Sequence, residues 1–301
     1  VQVTIGNLAQ IMGREWQQLP LDLQILLPKN YLSELKSMVE GDLRVNGQLG
    51  QPNINGLVQL TEIQFDPPFT EQIKHGNVSL QFNHDLAFLN GDLSFVNRGL
   101  VKLSGMLNID GYEVNIGVNA TDLNIDEGPI RGQANGQVTL SGHLSEPLLS
   151  GNLKLEQGRV YITGFGGGKG SALNLTLDLG VGANGLRVLG PGVDVVTNGQ
   201  LSILGKLSDL DFKGGIEATS GHVNYLGTNF AISGGKLDFV DWRRLPWLDI
   251  SGSAMVDDLA VNLGVSGELN QLEWRLSSEP NLPQTEILSR LNWPKTLENL
   301  G

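Results

Sequence analysis

The chain has 301 residues, 40 of them glycine, no cysteine, 6% aromatic side chains and a formal net charge of −12. That acidic excess excludes non-specific nucleic-acid binding, which needs cationic release of counterions, and docking on anionic headgroups through a polybasic patch. The absence of cysteine excludes a disulfide frame, a thiolate nucleophile and a Cys-type zinc or iron–sulfur site. No apolar run approaches the roughly 20 residues of a membrane-spanning helix.

Taken in chain order, Val1–Ile5 are neither a signal peptide nor a natural start; they read as the middle of a strand, as expected of an internal fragment of a longer protein. Residues 7–40 break the alternation that follows. After Pro28, the residues Tyr31, Leu32, Leu35, Met38 and Val39 have i, i+3, i+4 spacing, which predicts a short amphipathic helix at about 29–39. From residue 41 the chain reads with period two. Leu43, Val45 and Leu49 alternate with polar residues, followed by Val58 and Leu60 and then by Val78, Leu80 and Phe82. Val101, Leu103 and Leu107 continue the pattern, as do Val138, Leu140 and Leu144 and then Leu153 and Leu155. Leu201, Ile203 and Leu207 follow, and later Val261, Leu263 and Val265. One apolar face and one wet face are the mark of a half-buried antiparallel sheet, so the fold class is all-β. Near the end, Ile287, Leu288 and Leu291 follow Thr285, a residue suited to cap a helix over 283–291.

The strands repeat. Residues 41–60 align without a gap to residues 136–155, and a third copy begins at Gly199 and runs through Gly214 to Gly221–Tyr225. Each unit of a hairpin repeat packs mainly on its neighbours, giving an elongated array. Gly47, Gly142 and Gly205 fall at equivalent places on the apolar face, where a missing side chain lets the sheet bend. At roughly 11 residues per strand and turn, the chain holds on the order of 22–26 strands about 4.8 Å apart. An open sheet of that size needs its apolar face covered, and no set of long helices is present to do so. Two packed sheets or one curled sheet would answer; thin Leu, Val and Ile walls with glycine kinks suit a curled groove that could hold acyl chains. The expected layout is a lead-in strand and short helix over 1–40, a repetitive groove over 41–282, and a short C-terminal helix and tail over 283–301.

Chemistry is sparse. Gly180–Gly185 spells G-x-G-x-x-G after a strand, but a dinucleotide site needs a helix next, and here another strand and a turn follow, so a turn is expected. Gly164–Ser171 resembles a P-loop only loosely and reads as a flexible loop. His75, His84, His143 and His222 are scattered without metal-ligand spacing. Asp122–Glu127 and Asp257–Asp258 lack the spacing of a calcium loop and read as solvated turns. No G-x-S-x-G elbow occurs. No enzyme activity, cofactor or metal site is expected.

The C-terminal third carries a family resemblance. Gly235–Phe239, Leu245–Ile250, Val261–Gly267 and above all Ser277-Ser-Glu-Pro-Asn-Leu-Pro-Gln-Thr-Glu-Ile-Leu-Ser289 run in order. The chain thus resembles the C-terminal region of TamB-type proteins, of the AsmA-like, bridge-type lipid-transfer superfamily; the Gly-x-Leu-x-Gly hairpins extend the likeness over about residues 28–291. The resemblance implies a β-taco, a curled sheet around a hydrophobic trough. It also implies a longer protein in the periplasm, anchored in the inner membrane by an N-terminal helix. Its C-terminal end would meet an outer-membrane partner of the Omp85 family, TamA. The implied roles are phospholipid transport to the outer membrane and help in assembling outer-membrane proteins. A chloroplast-envelope relative carries a related module.

Three readings stand at this point. The apolar face is a conduit on which alkyl chains slide; or the sheet is a scaffold or chaperone whose edges pair with nascent outer-membrane strands; or the chain is a solenoid spacer with a packed core. The first makes the period-two residues named above, from Leu43 to Val265, the lining for phospholipid acyl chains. It places the 283–291 helix as a cap or plug at one end of the trough.

Overall fold

Period-two runs become strands throughout the described residues of the computed structural model, which are 2–5, 16–33, 36–64, 67, 70–127, 130–161, 174–240 and 245–291. The chain divides into two compact units. The first holds Val1–Asp126, Ala134–Gly151 and Leu173–Thr176; the second holds Glu127–Gln133, Asn152–Ala172 and Leu177–Gly301.

In the first unit, β1 (Gln2–Ile5) pairs with β2 (Pro20–Leu32). An antiparallel meander then runs through β3 (Ser37–Gln48), β4 (Gln51–Thr61), β5 (Ile73–His84), β6 (Leu86–Phe95), β7 (Leu100–Asn108) and β8 (Glu113–Glu127). Apart from the longer connection over 62–72, turns of a few residues keep sequence neighbours adjacent in the sheet. β9 (Ile130–His143) and β10 (Leu148–Tyr161) contribute residues to both units. The second unit continues with β11 (Thr176–Gly190), β12 (Val193–Lys206), β13 (Asp209–Tyr225), β14 (Thr228–Phe239), β15 (Trp247–Val256), β16 (Leu259–Glu268) and β17 (Gln271–Glu279). Its strands from β12 to β17 pair in order, all antiparallel. A short helix, α1 (Gln284–Arg290), follows.

Five expectations are corrected. The helix at 29–39 is not there: β2 runs to Leu32 and β3 starts at Ser37. Leu21, Leu23, Ile25 and Leu27 set a period-two phase that carries through Pro28 by a register shift between Leu27 and Asn30, after which Tyr31 pairs with Met38. A ladder to β3 outweighs the few residues with helical spacing. The described residues hold seventeen strands rather than 22–26, because strands run to 15 residues in β8 and 17 in β13. Gly180–Gly185 lie inside β11, not in a turn, and Asp122–Asp126 lie in β8, whereas Asp257 and Asp258 do form a turn. The N-cap of α1 is Pro283, with no side-chain cap, and Thr285 sits in the first turn. The fixed φ of Pro283 (−57°) presets the helix start, and its carbonyl accepts the N–H groups of Glu286 and Ile287. The P-loop-like stretch 164–171 lies outside the described residues.

Each unit has its own core on the apolar face of its sheet. In the first, Ile63, Ile73, Phe95, Val101 and Ala120 form a buried cluster against Leu60, Val78, Leu93, Leu103 and Val118. Ile63 and Ile73 of this cluster flank the connection between β4 and β5. Thr70 bridges to Ile125 on β8, its Oγ1 donates to Asn124 O at 2.6 Å, and the Glu71 carboxylate accepts from Asn97 N (2.6 Å) and Asn124 Nδ2 (3.1 Å). In the second, Phe230, Leu259, Val261, Leu263 and Val265 are buried with Ile287 and Leu291 of the helix and its flank. Curling is explicit there. In a flat sheet β13 and β17 would stand four spacings apart, about 19 Å. Tyr225 of β13 and Trp274 of β17 nevertheless stack with centroids 4.6 Å apart and planes 14° from parallel.

Candidate functional site

Cross-strand partners share a face, so the registers trace the inner surface of the first unit row by row. One row is Ile25, Leu43, Gly56, Phe82, Ala87, Leu107 and Val114 across β2 to β8. The next is Leu27, Gly41, Val58, Leu80, Leu89, Gly105 and Ile116, and beyond it lie Val39, Leu60, Val78, Gly91, Leu103 and Val118. From β3 to β8 none of these three rows contains a polar side chain, and each contains glycine; on β2 the third row opens with Asn30, the partner of Val39. The second unit repeats the design: Gly199, Ile216, Leu237, Leu248, Gly267 and Leu272 form one row from β12 to β17.

The glycines that crease this surface are Gly56, Gly151 and Gly214, equivalent positions of the three repeat copies. Their φ angles are +133°, +142° and +119°. A Cβ at any of them would collide with the carbonyl oxygen of the equivalent residue on the preceding strand, Asp42, Gln137 or Gln200. Gly47, Gly142 and Gly205, read from sequence as the bends, have φ of +106°, +95° and +101° but sit where strands end. Their left-handed φ breaks the alternation and leads the chain into a turn. Leu49, Leu144 and Leu207, two residues on, therefore lie in turns, with Leu49 and Leu144 exposed at 43% and 49%.

The other lining residues fall into two groups. Leu43, Val45, Val58, Leu107, Val138, Leu140, Leu153, Leu155, Leu201 and Ile203 are half-buried, an apolar surface without a layer packed tightly over it. Val101, Val261, Leu263 and Val265 are buried, with Leu60 and Leu103 packed against the first unit's cluster. Those in the first unit cluster with Ile63 and Ile73; those in the second cluster with Ile287 and Leu291. Sequence reading missed Ile25, Leu27, Leu89, Ile216, Leu237 and Leu248. Leu89 sits in the run Leu86-Ala-Phe-Leu89, whose period-two pattern is obscured by an outward Phe88, and only the pairing partners reveal its face.

The wet face carries the charge. Arg187 Nε and Nη2 donate to both oxygens of Asp194 at 2.6 and 2.5 Å, and this hydrogen bond, with its charge attraction, holds the Asp194 carboxyl below the usual aspartate range. Glu156 is likewise lowered, chiefly by its hydrogen bonds with Lys154 and Asn184. Lys236 is raised by its bond to Asp238 at 2.9 Å. His143 Nδ1 contacts Ser145 Oγ at 2.7 Å in the turn after β9, and His84 contacts Asn83, so these rings serve local hydrogen bonds. Among the described residues no three His, Asp or Glu side chains converge to hold a metal ion. Among them, too, no helix is long and apolar enough to cross a membrane.

The family model described as the TamB C-terminal domain matches residues 91–172 and 168–301. The chain is also similar to the translocation and assembly module subunit TamB of Haemophilus influenzae, 22% identical over 302 residues, covering 87% of this chain and 23% of that protein. The chain thus spans about a quarter of the length of the curated relative it matches.

Proposed function

Starting from a chain that belongs to the TamB C-terminal domain family, we propose that its creased apolar face is a stretch of a conduit for phospholipid acyl chains. The observation that carries this reading is the set of inner rows that run from β3 to β8 without a polar side chain, mostly half-buried, with Ala87 and Val114 buried among them. Each methylene that moves from water onto such a surface contributes about 0.8 kcal/mol, so tails are held without chemistry while headgroups remain in water. Lateral movement costs little, because apolar contact has no direction to break. The ion pairs of the opposite face keep that side hydrated. As part of a longer protein, the chain would act in the periplasm between an inner-membrane anchor and an Omp85-type partner of the TamA kind. The relative's name, a subunit of a translocation and assembly module, favours a second role in assembling outer-membrane proteins. Native mass spectrometry of the purified chain tests the first reading. Phospholipid adducts are expected, and their absence after mild purification, together with failure to take up phospholipid from vesicles, would leave the assembly role as the better account.

A further inference from the structure

In the second unit the apolar face changes character along the strands. The row of Ile216, Leu237, Leu248 and Leu272 is half-buried. Further along the strands, from Val265 to Val261 on β16, the face becomes the floor beneath α1. There Val261 and Phe230 have no exposure, and Ile287 and Leu291 from above are exposed by 0% and 1%. The surface is one and the same; only its cover differs.

That cover is held weakly for something so buried. α1 has seven residues and no side-chain N-cap, a length at which a helix does not persist without packing. Its side-chain hydrogen bonds, Arg290 to Glu286 at 2.9 Å and Ser289 Oγ to Glu286 O at 2.7 Å, stay within the helix. What fixes it to the sheet is apolar contact and the lead-in, where Ser278 Oγ donates to Pro280 O (2.9 Å) and accepts from Leu282 N (3.1 Å). Apolar contact is non-directional, and an alkyl chain satisfies the same floor as Ile287 and Leu291.

We infer that α1 is a displaceable plug, occupying on β16 and β17 the place of an acyl chain, so that tails pass this stretch only when α1 lifts away. The inference rests on the conduit reading of the preceding subsection. Lipid on the open row and lipid under the helix are therefore in competition with α1 at one position only, and a tail advancing from the open row displaces the helix as it goes.

The test uses the full chain with a photo-crosslinking amino acid at one of two places: Leu237 on the open row, or Leu276, half-buried against the covered floor beside its buried partner Leu263. The probe is vesicles of phosphatidylethanolamine and phosphatidylglycerol with a radiolabelled trace of the former. Each is read with α1 intact, with Ile287→Ala, and with Ile287→Asp and Leu291→Asp combined. Amide exchange in β16 reports whether the sheet stays folded, and Ile287→Ala serves if the double variant does not. The plug predicts lipid crosslinks at Leu237 in every protein. At Leu276 it predicts a rise on the order of tenfold or more on truncation of Ile287, since loss of a buried isoleucine shifts docking by at least that factor. Equal crosslinking at Leu276 with α1 intact overturns the plug, because lipid then passes the docked helix. Labelling at Leu237 with none at Leu276 in any variant also overturns it, marking the floor as packed core while leaving the conduit standing. No labelling at either position removes the conduit reading, and the plug with it.

Discussion

Replacing Gly56 with alanine probes the crease on which the curl of the sheet depends. The new Cβ would overlap the Asp42 carbonyl oxygen and lie 2.9 Å from Leu43 Cα. Neither atom is the end of a flexible side chain, so β3 itself must back away. Holding a residue with a side chain at φ +133° costs about 1–3 kcal/mol. Loss of two ladder hydrogen bonds adds about 1–3 kcal/mol, for a local destabilisation of about 2–6 kcal/mol. Gly182→Ala is the control. Its Cβ would meet Lys154 Cγ at 3.7 Å and Leu153 O at 3.9 Å, ordinary contacts, so it should be neutral or stabilise by about 0.4–1 kcal/mol through the unfolded chain. Because the chain has two units, a single unfolding free energy is not a defined quantity, and the assay is amide exchange resolved to β3 and β4. Gly56→Ala should speed exchange at Asp42 and Leu57 by on the order of 100-fold, which is about 3 kcal/mol of lost opening energy. The same should hold for Gly151→Ala and Gly214→Ala, which meet the same obstacle. If Gly56→Ala exchanges no faster than Gly182→Ala, the account of the crease is wrong.

Leu140→Asp, on the half-buried surface of β9, should fold but abolish lipid crosslinking beyond that point in the full-length protein; Thr139→Asp, whose counterpart in the first repeat is the outward Arg44, should keep it. A Leu140→Asp protein that transports normally counts against the conduit. Val261→Asp, by contrast, places a carboxylate where exposure is 0%, at a cost of several kcal/mol, and should melt the β16 end in thermal denaturation. Ser278→Ala leaves Leu282 N without its acceptor and should speed amide exchange over 282–291 while β15 stays protected. For Asp194 the folded-state pKa is depressed by Arg187, so the pair's contribution is present at neutral pH. It is lost only as pH falls below the ordinary 3.8 through the lowered value. A carboxyl-detected NMR titration should therefore give Asp194 a midpoint below 3.8, restored toward it by Arg187→Ala.

The sequence by itself determined the class of this protein. Alternation of Leu, Val and Ile with polar residues specifies two faces whatever the strand pairs with, because successive side chains of an extended chain point to opposite sides. The repeat was legible for the same reason: equivalent residues such as Leu43, Val138 and Leu201 recur with equivalent glycines. Pairing lay beyond it. Tyr31 and Leu32 carry helical spacing, yet a strand partner beginning at Ser37 held them extended. What a glycine does depends on where it falls in the ladder and what stands opposite it: Gly56 lies mid-strand against the carbonyl of Asp42, Gly47 at a strand end. Burial was decided last of all. Val45 and Val261 are the same residue in the same alternation, but one is half open and the other sealed. The difference is made by Ile287 and Leu291, distant in sequence from the strand they cover, because apolar contact specifies how much surface is removed from water and leaves the choice of neighbour to the chain's path.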